Sequence, residues 1–330
     1  MTPTCTPEND RSKILPEHFA RHLSVVVILF VLSAHFLPTT AGKQVKSAEM
    51  RQSPAGFKKI GHVIWIIQEN RSFDNYFGRF PGADGFPPLT CLPKMPGSRA
   101  YVSPFHMPSG APFSDLDHSW RIAHAAYDNG KMDGFVWPKG LLNTMGYYDD
   151  RDIPNYWEYA RRFTLCDMFL SSLNGPSLPN HIYIVAAQSG GVIDNFLLLK
   201  NLEESLDDPD GFTFPSIVTR LENAKLTWKY YVEKGPAPTL EHDPTAKTYS
   251  LWNPLPAFKA IRDIPNWMTH WVDQSGYFKD LKRGTLPDVS YLIPNSLDSE
   301  HPTSQPARGM RYVTKLVNAL MQSSYAGKTG

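Results

Sequence analysis

Apolar and polar positions along the chain alternate in short runs that predict interleaved strands and helices. Residues 63–67 form an unbroken apolar run, mostly β-branched, that stops abruptly at Gln68, Glu69 and Asn70. So short and continuous a run predicts a strand buried on both faces, as in a parallel sheet. A short helix should come next through Phe73, Tyr76 and Phe77, capped by Ser72 or Asn70 and stopped by Gly78. Further strands are predicted at 163–170, 226–232 and 289–293. Helices are predicted after Asp117 or Ser119 (carrying Trp120, Ala123, Ala126 and Tyr127) and at 153–162, with Asp152 as cap and Pro154 in the first turn. Others are expected over 182–188, 216–224 and 276–283, the last stopped by Gly284. Residues 308–321 place Val313, Leu316, Val317 and Leu320 at i, i+3, i+4 and i+7, the pattern of an amphipathic helix. Residues 79–112 and 236–271 are rich in Pro and read as long loops. The alternation predicts an α/β fold: a doubly wound, mostly parallel sheet with helices on both faces.

The chemistry sits where such folds place ligands, at the carboxyl ends of strands. Glu69 and Asn70 end the first strand and offer hard oxygen ligands suited to a metal ion or a phosphoryl group; the plainer reading is a capping Asn beside a solvated Glu. Ser177 comes after a predicted strand and Asn174-Gly175-Pro176, then opens a helix, so it is either an exposed nucleophile or simply a cap. His118 lies at a predicted helix start; taken alone, it reads as a surface or packing histidine. Asp298-Ser-Glu-His-Pro302 lies just past another strand's carboxyl end. Glu241-His-Asp243 invites a metal reading, but adjacent loop residues rarely converge on one ion, so it reads as surface.

Glu69-Asn-Arg-Ser-Phe-Asp-Asn-Tyr-Phe-Gly78 resembles the signature of the bacterial phosphoesterase family that holds phosphatidylcholine-type phospholipases C and an acid phosphatase branch. That family is similar in fold to alkaline phosphatase. Asp117-His-Ser-Trp120, Thr144-Met-Gly-Tyr-Tyr148, Gly175-Pro-Ser-Leu-Pro-Asn180 and Ser299-Glu-His-Pro302 resemble further family segments. The resemblance implies Glu69, Asn70 and Ser177 as ligands of a divalent metal ion of unknown identity, and Ser177 as the nucleophile. Many phospholipase members carry Thr there. It also implies His118 as a phosphoryl contact, His301 as a phosphoryl contact or the acid that protonates the leaving group, and His124 as a structural residue or one that supports the site residues from behind. Family members continue with a strand and an Asp-Asp-x-Gly-Gly-x-x-Asp-His type motif, whose aspartates complete the metal site. None of this motif is present, so the chain is expected to be the N-terminal part of a longer protein, with an unpaired sheet edge.

The 330 residues carry a net charge of +1 and 20% charged residues, which points away from nucleic acid partners. Residues 23–37 are apolar, preceded by Arg11, Lys13 and Arg21 and trailed by Thr39-Thr-Ala41. This arrangement predicts a secretory signal over 1–41 and a secreted or periplasmic product, with an uncleaved membrane anchor as the alternative. Residues 42–57 would be a linker and 58–330 part of a single phosphoesterase domain. Cys91 and Cys166 can pair in an oxidising compartment, or Cys166 can remain a buried free thiol. The expected activity is phospholipase C-like hydrolysis on a phospholipid or small phosphate ester, with transient contact to a membrane surface. The alternatives are an acid phosphatase acting on soluble monoesters and a non-catalytic truncated domain. The oligomeric state stays open.

Overall fold

The computed structural model describes residues 26–28, 60–107, 110, 114–137, 142–195, 211–233 and 252–329. Glu241-His-Asp243, most of the expected signal and the linker lie outside these residues. The elements in chain order are β1 (Val26–Ile28), β2 (Val63–Gln68), α1 (Phe73–Phe77), β3 (Leu92–Pro93), β4 (Tyr101–Val102), β5 (Phe105–His106), α2 (Trp120–Tyr127), β6 (Gly146–Tyr147), α3 (Pro154–Arg162) and α4 (Ser177–Ala186). They continue with α5 (Ile217–Asn223), β7 (Trp228–Val232), α6 (Lys259–Arg262), β8 (Trp271–Asp273), α7 (Ser275–Arg283), β9 (Val289–Ile293) and α8 (Pro306–Met321).

The main sheet runs β1-β2-β9-β7-β8. β2, β9, β7 and β8 are mutually parallel, in register from Val63 opposite Val289 and Trp228 opposite Val289. Side-chain alternation sorts the core into two layers. Ile64, Ile66, Tyr231 and Leu292 pack on one face with α1, α3, α7 and α8. Ile67, Trp228, Tyr230, Tyr291 and Ile293 pack on the other with α4, α5 and α6. The strands are apolar on both sides because helices cover both, as predicted from the unbroken 63–67 run.

Beside β2, Val26–Ile28, inside the stretch read as a signal, runs antiparallel along Ile66 to Gln68, and Thr329 forms a bridge with His62; at the other end of the sheet β8 has β7 as its one neighbour among the described residues. Three local expectations are corrected. Residues 163–170 form no strand. Phe163, Met168, Phe169 and Leu170 are exposed, and the loop after them is held by side-chain hydrogen bonds instead of a ladder. Asp152 does not cap α3, whose N-cap is Ile153; the Asp152 carboxylate is drawn to His106 Nε2 at 2.7 Å and Asp149 N at 3.2 Å. The expected caps Ser72 and Gly284 are in place, and Ser216 caps α5. Cys166 is a free, exposed thiol, so it is neither bridged to Cys91 nor buried. No described helix is long and apolar enough to cross a membrane.

Candidate functional site

The parallel sheet delivers β2 and β9 side by side, and the segments leaving the two strands meet at their carboxyl ends. Glu69 N donates to Ser299 O at 2.9 Å, and Gln68 Nε2 donates to Asp298 O at 2.9 Å. Asn70 adopts φ 52°, a left-handed conformation that Asn tolerates better than most residues. This turns its side chain back beside Glu69.

Ser177, the first residue of α4, donates its hydroxyl to Glu69 Oε2 at 2.7 Å, and Asn70 Oδ1 lies 3.3 Å from the same oxygen. All three expected metal ligands therefore converge within hydrogen-bond distance. The helix offers fewer free donors than the sequence suggests: Leu178 N is taken by Asn195 Oδ1 at 3.1 Å, and Pro179 has no N–H. The loop into Ser177 is irregular, and Asn180 holds it. Its Oδ1 accepts from Leu173 N, while its Nδ2 donates to the carbonyls of Leu173, Gly175 and Pro176 at 2.9 to 3.3 Å. A side chain at Gly175 would meet Leu173 Cδ2 at 2.4 Å, so the Leu173 side chain would have to move to admit one.

The histidines complete the cluster. His118 Nδ1 lies 2.6 Å from Leu116 O. A carbonyl only accepts, so Nδ1 carries the proton and Nε2 is left facing Asn70 Nδ2 at 3.5 Å. The rings of His118 and His301 are 5.7 Å apart, centroid to centroid. His301 Nδ1 is held by Pro302 O at 2.5 Å, which leaves its Nε2 for a ligand. His124 stacks on Trp120 and bonds the Trp120 carbonyl, a structural placement. Asn70, His118, Asn174 and Pro302 line a cleft of about 760 Å³, partly open to solvent, that reaches to Ala126, Phe135 and Thr144.

Sequence reasoning missed two buried partners of this cluster. His181 is one helical turn beyond Ser177, so the two side chains share a face of α4. Its Nε2 lies 2.5 Å from Glu69 Oε1, and both residues are only 1% exposed. Glu69 is thus shared, one oxygen to His181 and the other to Ser177. The four-residue spacing in Ser177-Leu-Pro-Asn-His181 was the available signal. The second is Glu300, 0% exposed. Its carboxylate accepts from Tyr76 OH at 2.6 Å, from Gln68 Nε2 at 3.2 Å and from Tyr156 OH. Burial pushes the Glu300 carboxyl up to about 7 against these donors and the Arg71 charge. Glu300 takes φ 70° to do so, a backbone state that costs a non-glycine residue about 1 kcal/mol or more. Its buried side chain thereby fixes His301, the next residue.

Three hard oxygens from Glu69, Asn70 and Ser177 fit a divalent cation in chemistry, with His181 holding the remaining Glu69 oxygen. A second group that could hold a metal ion comprises His106, Asp149 and Asp152, whose ligand atoms lie within 4.8 Å of one another. There the Arg151 guanidinium already grips both Asp149 oxygens, at 2.6 and 2.8 Å.

The chain is similar to several phospholipases C. It is 27% identical to a hemolytic phospholipase C of Pseudomonas aeruginosa, over 92% of this chain and 45% of that protein. It is 28% identical to phospholipase C A of Mycobacterium tuberculosis, over 78% of this chain and 53% of that one. With non-specific phospholipase C6 of Arabidopsis thaliana, identity is 25% over 82% and 51% respectively. The chain spans about half the length of these relatives. The model of the Phosphoesterase family matches residues 60–329, and with that match covering the four parallel strands of the sheet and every residue of the cleft, the chain belongs to the Phosphoesterase family.

Proposed function

We propose that this chain carries the nucleophilic half of a phospholipase C-like phosphoesterase. The observation that carries the reading is the Ser177 hydroxyl, 5% exposed, hydrogen-bonded to Glu69 and to Asn70, where Asn70 lines the cleft together with His118 and the His301 ring lies 5.7 Å from that of His118. The Ser177 oxygen attacks phosphorus, its proton directed to Glu69 Oε2. As the new O–P bond forms, the bond to the leaving alcohol breaks, and that alkoxide takes a proton from Nε2 of His301, which enters this step as imidazolium. Water then attacks the phosphoserine and gives one proton to His301 Nε2, while Glu69 returns its proton to the departing serine oxygen, so that the phosphorylated head group leaves with the serine hydroxyl and the imidazolium restored. Asn70 Nδ2, and His118 Nε2 when the ring is doubly protonated, hold phosphoryl oxygens throughout. A divalent cation held by Glu69, Asn70 and Ser177 would supply positive charge that favours the serine alkoxide and neutralises the phosphoryl group.

Secretion belongs to the same proposal. The basic-then-apolar N-terminus and Thr39-Thr-Ala41 support export with cleavage near Ala41, which would take β1 (Val26–Ile28) off the edge of β2, so N-terminal sequencing of exported protein should begin near Gly42. A lipid-cleaving activity outside the cell implies brief contact with a membrane surface.

The test is phospho-enzyme trapping by mass spectrometry on the full reading frame, with choline phospholipid as substrate. A phosphorylcholine adduct should appear on Ser177, diacylglycerol should accumulate, and Ser177→Ala should abolish both. The adduct on another residue overturns the nucleophile. Release of inorganic phosphate from soluble monoesters, without diacylglycerol from lipid, identifies a phosphatase instead.

A further inference from the structure

A second, smaller hollow, partly open to solvent, adjoins the cleft and shares Ser72, Asn75, Phe135 and Thr144 with it. Thr90 Oγ1 and Asn75 Oδ1, both on its lining, are buried polar atoms with no hydrogen-bond partner. Thr90 is only 6% exposed. The orientation of the Asn75 amide is fixed, because its Nδ2 donates to Gly146 O at 2.7 Å. The oxygen is therefore the orphaned atom, and it can only accept. Buried polar atoms are almost always paired, so two orphans on one small cavity beside a reaction cleft call for an occupant. The rest of the lining combines the Asp74 carboxylate, Ser72 and Thr144 with apolar and aromatic groups, among them Phe86, Phe135 and Tyr147. Among the described residues no lysine, arginine or histidine lines the cavity.

We infer that this cavity is the head-group pocket of the phosphoester substrate and selects a head group that donates hydrogen bonds, a hydroxyl or a primary ammonium. The inference rests on the phosphoesterase reading above and adds a substrate class to it. An anionic head group finds acceptors and no cation here. A trimethylammonium group has no N–H or O–H; it would leave both oxygens unpaired, the mismatch for which polar sites discriminate most strongly. Two of the three rings are also already engaged from elsewhere. The Arg79 guanidinium sits 5.8 Å from the Phe86 centroid and 5.9 Å from that of Tyr147, so they do not make a vacant cage for a quaternary cation. In the phospholipase C reaction the head group stays on phosphorus while the lipid alcohol leaves. The pocket would therefore hold the phosphorylated product as well as the substrate.

The experiment uses the full reading frame, wild type and Thr90→Val, whose side chains are nearly the same shape. Diacylglycerol release is measured from phosphatidylethanolamine, phosphatidylglycerol and phosphatidylcholine of matched acyl chains in mixed micelles. In parallel, calorimetry measures binding of phosphoethanolamine, glycerol phosphate and phosphocholine, and thermal melting verifies folding. A donating head group should be favoured over choline by about tenfold or more in kcat/KM and in affinity, the discrimination expected of a buried hydrogen bond. Thr90→Val should move both ratios at least about fivefold toward one. Equal or better use of choline overturns the inference, as do unchanged ratios in Thr90→Val. A crystal soaked in phosphoethanolamine that shows only ordered water at Thr90 and Asn75 also overturns it. Preferential binding of phosphoethanolamine without hydrolysis of any lipid would refute the phospholipase reading and leave the pocket standing. Hydrolysis with no head-group preference would do the reverse.

Discussion

Replacing Glu300 by glutamine isolates the buried carboxyl that anchors the His301 segment. In the folded protein this carboxyl is raised from 4.5 to about 7, foremost because burial strips its water, despite donation from Tyr156, Tyr76 and Gln68 and the nearby Arg71. Unfolding returns it to its ordinary value. A raised folded pKa means that the stability tied to protonation is fully present below about pH 4.5, declines as pH rises, and is lost above about pH 7. At about 1.4 kcal/mol per pH unit, the decline amounts to about 3 kcal/mol. Glutamine keeps the shape and does not titrate. Urea unfolding of both proteins from pH 5 to pH 8 is the assay, and titrations elsewhere cancel in the difference between them. Relative to Glu300→Gln, the wild type should lose about 3 kcal/mol of stability across that window, most of it by pH 7. Parallel curves, or a wild type that gains on the variant as pH rises, would refute the buried, proton-linked carboxyl.

Three other substitutions probe the same architecture. Gly309→Ala on α8 would set a methyl 2.1 Å from Glu300 Cγ; thermal melting should show a loss of about 1–3 kcal/mol, with turnover falling as the His301 segment shifts. Asn180→Asp replaces a donor by an anionic oxygen facing three carbonyls. It should cost about 2–4 kcal/mol at pH 7 and recover in acid as the carboxyl protonates, which chemical denaturation at two pH values would reveal. His181→Leu deprives Glu69 Oε1 of its partner, so divalent cation affinity, read by titration calorimetry, should fall about 10–100-fold. His181→Gln retains a donor and should recover most of it; equal affinity in the Leu variant would show that His181 does not orient Glu69.

Much of this site is legible in the sequence because its residues sit at predictable places on predictable elements. An apolar run that stops at Glu69-Asn70, a serine opening a helix, and a histidine beyond strand β9 are local patterns, and the parallel sheet gathers them on one edge. What escapes prediction depends on contacts across the fold. Glu300 reads as a loop acid, and only the approach of Tyr76 from α1 and Tyr156 from α3 makes it a core residue. His181 meets its partner 112 positions away. Residues 163–170 have the composition of a strand, but no neighbour offers them a ladder, and their exposed apolar side chains show that composition alone does not make one.

The pairing of β2 with β9 sets an order of events in time. Val63 and Val289 are in register, so the contact that puts Glu69 beside Ser299 closes most of the described chain into a loop. Loop entropy must be spent before such a contact returns anything, which makes it a slow, late step compared with forming α4 or a hairpin. During synthesis Glu69, Asn70 and Ser177 emerge long before Ser299, Glu300 and His301 exist to meet them. A chain stopped before Ser299 therefore holds Ser177, Glu69 and Asn70 without the second wall of the cleft. Ser177 is translated early, but the site around it forms only after the β9 segment and its buried glutamate arrive.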